Sequence, residues 1–285
     1  MRFWPLVFRL CGIAVLTLLL MLLLSFLLSI VASMLGREPD VFLNWVHTIF
    51  STAVIVSVCV FAFGIDRMGF RDMGLELQGR WGELGFGLVL GGGLLLVNFL
   101  LLNALGIVVV RGVDWAGSIN FLLIALIYYT PAAMAEELVC RGYILNHLSG
   151  KIYLPLLLSS LLFTALHLPG LDGFRIAGLM VTGVAYGYMY LWSGSLWLPI
   201  GVHLSWNIVL SATLGDASLG LSLLYLSVFP GTSCITAQLA GIAKPVIGLF
   251  LARWFLQRRG YLCPWRARLS TFLTPDLFVE ENEAT

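Results

Sequence analysis

Charge is what this chain has least of. Asp, Glu, Lys and Arg together make up 11% of its 285 residues, where a soluble domain carries roughly 25%. That shortage excludes an ordinary water-soluble globule and a disordered chain. The net charge is only +1, and none of the few Lys/Arg clusters alternates with stacking aromatics, so a nucleic-acid partner is excluded as well. The five cysteines are odd in number and form no Cys-x-x-Cys pair. They make no disulfide framework, and Cys11, Cys59, Cys140 and Cys234, in or beside apolar segments, read as small buried hydrophobes. The polar–apolar alternation of a membrane β-barrel is missing, and no internal repeat is visible.

What is there is apolar. Hydrophobic residues make up 60% of the chain, and the mean hydropathy is +0.97. A bilayer core of roughly 30 Å needs about 20 apolar residues in a helix. Eight segments answer to that, near 10–34, 41–64, 83–110, 118–138, 152–168, 174–192, 196–213 and 236–256. The expected fold is an all-α, polytopic transmembrane helix bundle of about eight spans. The apolar stretch 218–229 is short, and reads as a re-entrant or interfacial piece or the start of a ninth span. The first run is too long for the roughly 7–15 apolar residues of a cleaved signal, so it reads as an anchor. With eight spans, twelve of the loop Lys and Arg fall on one side and only Arg37, Arg111 and Arg175 on the other, which puts both termini in the cytoplasm. A ninth span would carry the basic cluster 253–268 outside. Gly91-Gly92-Gly93 lacks the Lys-Ser/Thr of a phosphate loop and predicts close helix packing or a kink. The Arg- and Trp-bearing tail after Arg253 reads as a segment at the anionic lipid surface.

Ionisable groups inside a membrane are expensive, and each is a candidate for function. The densest set lies between residues 136 and 207. Glu136 and Glu137 are adjacent carboxylates, which cannot both ionise cheaply in low dielectric. Glu137 and Arg141, four apart, share a helix face and can pair. Glu136 points about 100° away, and a carboxylate left without a cation suits a general base. The alternative is a helix end at the headgroups, with all three residues solvated. Phe163 and His167 are one turn apart, so the ring can shield the imidazole. His203 and Asn207 project to one side of a third helix, where interhelical hydrogen bonding is the plainer explanation of either alone. Gathered in one hydrated cavity, Glu136, His167, His203 and Asn207 supply a base, a second acid/base or orienting group, and two oxyanion donors. Those are the parts needed to add water to an amide.

At these residues the sequence resembles the CPBP family of intramembrane endopeptidases, which includes the CAAX proteases and the bacteriocin-processing or abortive-infection proteins. Its EExxxR, FxxxH and HxxxN motifs read here as Glu136-Glu137…Arg141, Phe163…His167 and His203…Asn207, in order and on separate helices. The resemblance covers about 117–213, which it marks as a catalytic core; 1–116 reads as N-terminal transmembrane helices and 214–285 as a C-terminal helix with a cytoplasmic tail. It implies Glu136 as the residue that activates water, His167 assisting, His203 and Asn207 stabilising the oxyanion, and Glu137 and Arg141 as supports. It implies a protein or peptide substrate, with or without a lipid, reached from the cytoplasmic leaflet, with membrane lipids around it. Two mechanisms stay open. One uses Zn²⁺ on Glu136, His167 and His203. The other needs no cofactor, and Asn207, a poor zinc ligand but a good amide donor, favours it. Two rival functions also stay open: a non-catalytic immunity or scaffold protein of the same fold, and a proton-coupled transporter.

Other polar residues take plainer readings. His47 reads as a hydrogen-bonded core residue, His147 as solvated in a cytoplasmic loop, and Lys244 as snorkelling from near a helix end. Asp172 and Arg175 read as a loop pair, and Trp192 and Trp197 as interface residues.

Overall fold

A computed structural model describes residues 3–36, 45–147, 153–167, 172–214, 223–228 and 234–260. Eight long helices dominate it: α1 (Phe3–Met34), α2 (Val46–Cys59, continued as a π-helical turn Val60–Ile65), α3 (Trp81–Ala104), α4 (Ser118–Glu137), α5 (Tyr153–Ala165), α6 (Gly173–Ser193), α7 (Trp197–Leu214) and α8 (Cys234–Arg259). Beyond Glu137, α4 widens into π-helical turns over Leu138–Ile144 and closes with the turn Leu145–His147. Among the described residues, five helical stretches are long and apolar enough to cross a membrane: Trp4–Met34, Val46–Ile65, Trp81–Ala104, Ser118–His147 and Trp197–Leu214. α1 is apolar all round and turns Trp4, Phe8, Leu22 and Phe26 outward, a surface that only lipid or another apolar body can cover.

Two features depart from the helical reading. The third apolar run does not continue to residue 110, because α3 ends at Ala104 and the β-branched run that follows forms β1 (Val108–Val113). Within the stretch 218–229, residues Leu224–Val228 form β2, neither re-entrant helix nor ninth span, and β2 pairs antiparallel with β1 from Val108↔Val228 to Val113↔Leu224. Pairing satisfies backbone groups that neither strand could satisfy alone.

The tightest helix pair is α3 with α7. Both run in the same direction, and their glycines bring the backbones together. A Cβ on Gly91 would collide with the Val202 carbonyl oxygen, one on Gly87 would lie 2.5 Å from that of Leu198, and one on Gly201 2.6 Å from that of Leu84. Gly92 N–H donates to the Ser205 hydroxyl at 2.9 Å. The glycine triplet is thus a packing device for Gly91 and Gly92, while Gly93 faces open space. Gly91→Val drives a branched side chain into backbone that cannot retreat. A loss of about 1–3 kcal/mol or more is expected, read as an earlier midpoint in SDS-titrated unfolding.

The bundle has two distinct ends. At one, Leu196 N–H donates to the Gly74 carbonyl, the Trp197 indole to those of Leu75 and Glu76, and Arg80 to that of Ser193, while Gly82 approaches Arg259. Arg9, Arg67, Arg71, Arg80, Arg253, Arg258 and Arg259 gather towards this basic end. At the other lie the strand pair and Arg111. Two histidines differ from their sequence readings. His147 is half-buried, its Nε2 3.1 Å from Asp66, a carboxylate that also takes the Tyr143 hydroxyl at 2.6 Å and pairs with Arg9. The widened end of α4 carries it back over the bundle rather than into water. His47, at the start of α2, is exposed and stacks on Tyr128 at 4.9 Å rather than lying in the core. Asp172 and Arg175 do pair at 3.9 Å, and Asp172 also caps α6 by accepting from Arg175 N–H.

Candidate active site

Glu136 and Glu137 close the regular part of α4, and the wide turns begin at the next residue. Such turns are rare and concentrate at functional sites. Here the Ser159 hydroxyl on α5 donates to the Cys140 carbonyl at 2.8 Å, supplying a partner inside the turn. Arg141 lies within it. Its Nη1 donates to Glu137 Oε1 at 2.9 Å and its Nη2 to the Gly183 carbonyl on α6 at 3.0 Å. Both side chains are fully buried. The Phe163 ring lies 4.6 Å and the Tyr186 ring 5.5 Å from the guanidinium carbon, so aromatic faces replace the water the cation has lost. The pair expected from spacing therefore forms, and it is buried rather than solvated at a headgroup.

Glu137 Oε1 also accepts from His203 Nδ1 at 3.0 Å. A carboxylate only accepts, so Nδ1 carries a proton and Nε2 faces the other way. It faces Glu136, at 3.9 Å from Oε2. His167, at the end of α5, repeats the arrangement: Nδ1 donates to the Phe163 carbonyl at 2.8 Å, and Nε2 stands 3.6 Å from the same Glu136 Oε2. That oxygen is sealed from solvent and accepts no hydrogen bond among the described residues. Two oriented imidazoles thus converge on one carboxylate oxygen, at separations that suit a small bridging group better than direct hydrogen bonds. Phe163 packs against both rings, at 4.9 Å from His167 and 5.7 Å from His203.

Asn207 is half-buried, one turn past His203 on α7 and on the same side of the helix. It makes no hydrogen bond to Glu136, His167 or His203, so the structure does not join it to the convergence. Among the described residues, no three His, Cys, Asp or Glu side chains are grouped as a metal ion would require.

Residues 118–209 match the family model described as Type II CAAX prenyl endopeptidase Rce1-like. This stretch is similar to the Rce1-like family. No curated protein and no solved structure matches the chain. The matched stretch runs from the start of α4 into α7, so it contains every residue of the convergence. It also holds groups that motif spacing misses. Tyr186 on α6 stacks beside His203 at 5.6 Å and walls the Arg141 pocket. Gly183 supplies the carbonyl that Arg141 needs, and a Cβ there would lie 2.9 Å from Ser160, so only glycine lets α5 and α6 close around the guanidinium. The small-residue series Gly178, Gly183 and Gly187 in an apolar run was the available signal for that contact.

Proposed function

We propose that this protein is an intramembrane endopeptidase that hydrolyses a peptide bond near the basic, cytoplasmic end of the bundle, using water activated by Glu136 and His167. The observation that carries the reading is the aim of two oriented imidazole nitrogens at one carboxylate oxygen that has no hydrogen-bond partner among the described residues. A water held between Glu136 and His167 gives its proton to the Glu136 carboxylate as its oxygen attacks the peptide carbonyl carbon. The carbonyl π electrons move onto oxygen. His203 Nε2–H and the Asn207 amide donate to that oxyanion, and the imidazolium this requires is held by Glu137, itself neutralised by Arg141. Glu136 then returns the proton to the leaving amine nitrogen, and the C–N bond breaks. The products are one carboxylic acid and one amine. The chemistry uses the chain's own groups and involves no cofactor.

The substrate is a protein or peptide end, with or without a lipid, presented at the cytoplasmic leaflet by the eight-span bundle with both termini inside. The test is direct. Purified protein in lipid nanodiscs is given a farnesylated CAAX peptide, and the products are read by mass spectrometry. A single new C-terminus is expected, formed equally fast after dialysis against a chelator, while His203→Ala slows it by about 10²-fold or more. Cleavage that vanishes with chelator and returns with Zn²⁺ would overturn the cofactor-free mechanism. Cleavage unaffected by His203→Ala would overturn the site.

A further inference from the structure

Three arginines close α8. Arg253, Arg258 and Arg259 are all exposed, and each guanidinium lies over an aromatic ring. Arg253 is 5.2 Å from the centroid of Trp192 on α6, Arg258 is 5.8 Å from that of Trp254, and Arg259 is 5.6 Å from that of Phe255. Among the described residues the ion pairs of Arg fall on Asp66, Glu76, Glu83, Glu137 and Asp172, and none involves these three. A ring beneath a guanidinium covers one face of the planar fork and leaves the N–H donors at its rim for an acceptor. A fork held this way suits a phosphate, which accepts two of those donors at once.

Arg258 differs from the other two in the face it occupies. At 3.6 residues per turn it continues the side of α8 that carries Ile247, Phe250, Leu251 and Trp254. All four are exposed, whereas Gly248, Ala252, Phe255 and Leu256 on the other side are buried. Arg253 lies towards α6 and Arg259 towards Gly82 at the start of α3, one on each flank of the stripe. From Ile247 to Arg258 the stripe rises about 16 Å, close to one leaflet's share of a hydrocarbon core of roughly 30 Å. An exposed apolar face of this length needs an apolar cover. A cover that ends beside cations without carboxylates is favoured if it carries a negative charge there. A soluble phosphate answers only the cations, and an apolar helix answers only the stripe. An anionic phospholipid answers both, with an acyl chain along the stripe and its phosphate in the fork. The rest of the Arg- and Trp-bearing segment, past Gly260, lies outside the described residues.

We infer that the last turns of α8 form a binding site for one anionic phospholipid, its phosphate held by Arg258 on Trp254 and its acyl chain laid along Ile247–Trp254. The inference does not depend on the peptidase reading. Phosphatidylglycerol and phosphatidylcholine are titrated in turn onto the purified, detergent-solubilised full chain, and bound lipid is counted by native mass spectrometry. One phosphatidylglycerol is expected to bind about tenfold or more tightly than phosphatidylcholine. Arg258→Gln removes most of that preference while leaving phosphatidylcholine binding and the melting midpoint unchanged. Trp254→Leu keeps the stripe apolar but frees the guanidinium, and it weakens the preference in the same direction. Arg258→Lys, a point charge without the fork, restores little of it. Arg67→Gln, which removes an equal charge at the same end of the bundle, leaves it intact. If Arg67→Gln lowers the preference as far as Arg258→Gln does, or Arg258→Lys restores it in full, the cause is the general positive field of that end and the site is overturned. If water-soluble glycerol phosphate displaces the bound lipid with similar affinity, the arginines read free phosphate, the stripe contributes nothing, and the lipid assignment fails.

Discussion

Replacing Glu136 with Gln lowers kcat on a cleavable peptide by about 10³-fold or more and changes KM little. Gln fills the same space, so the fold survives. It can neither take the proton from water nor give it to the amine, and proton transfer by a positioned group is worth about 10²–10⁴-fold. Both transfers pass through this one carboxylate, so its loss falls on the transition state rather than on binding. The surroundings also argue that the protein tolerates the change. Glu136 Oε2 makes no hydrogen bond among the described residues, and no buried partner is orphaned when its charge goes. Steady-state kinetics with a matched melting curve provide the check. Undiminished cleavage by Glu136→Gln removes Glu136 from the mechanism. A cellular deletion phenotype rescued by the same variant moves the protein to the scaffold reading.

Arg141→Ala has the opposite profile: it destabilises first and inactivates as a consequence. Glu137 is fully buried with Arg141 as its cation, and removing one member of a buried pair costs about 3–5 kcal/mol because the other charge is left uncompensated. Gly183 loses its donor, and the gap between Phe163 and Tyr186 is left open. Arg141→Lys rescues poorly, since an ammonium cannot reach the Glu137 carboxylate and the Gly183 carbonyl with one planar fork. The paired change Glu137→Gln with Arg141→Met separates stability from catalysis. It removes both charges, so most of the stability returns. Activity stays about 10²-fold down or lower, because His203 no longer has a carboxylate to fix its tautomer and hold its imidazolium. Unfolding midpoints alongside kcat distinguish the two effects. If the double variant regains activity together with stability, Glu137 does not orient His203.

Long-period apolar runs made the eight helices legible, because a membrane-length helix needs little beyond unbroken hydrophobicity. The strand pair was not legible. Val108, Val109 and Val110 continue the apolar run of α3 without a break, and only pairing with β2, more than a hundred residues away, decides that they are extended. The Glu137–Arg141 pair was legible because it is local, four residues apart on one helix. The hydrogen bond from His203 to Glu137 was not, since spacing within each motif says nothing about which residues of separate helices meet. His147 was misread for the same reason: its partner Asp66 lies 81 positions upstream. Glu136 points away from the Glu137–Arg141 pair, as the angle between neighbours on a helix implies, while the two imidazoles that face it come from other helices.

The helix that carries His203 and Asn207 is moored at its basic end and along its length. At the basic end its first residues are tied to Gly74, Leu75 and Glu76. Along its length Gly201 presses on the backbone of α3. A rod clamped this way is an anvil rather than a gate. His203 is 5% exposed, whereas His167, on the short α5, is 32% exposed. The His167 flank, at the end of a thirteen-residue helix, is therefore the open side of the convergence.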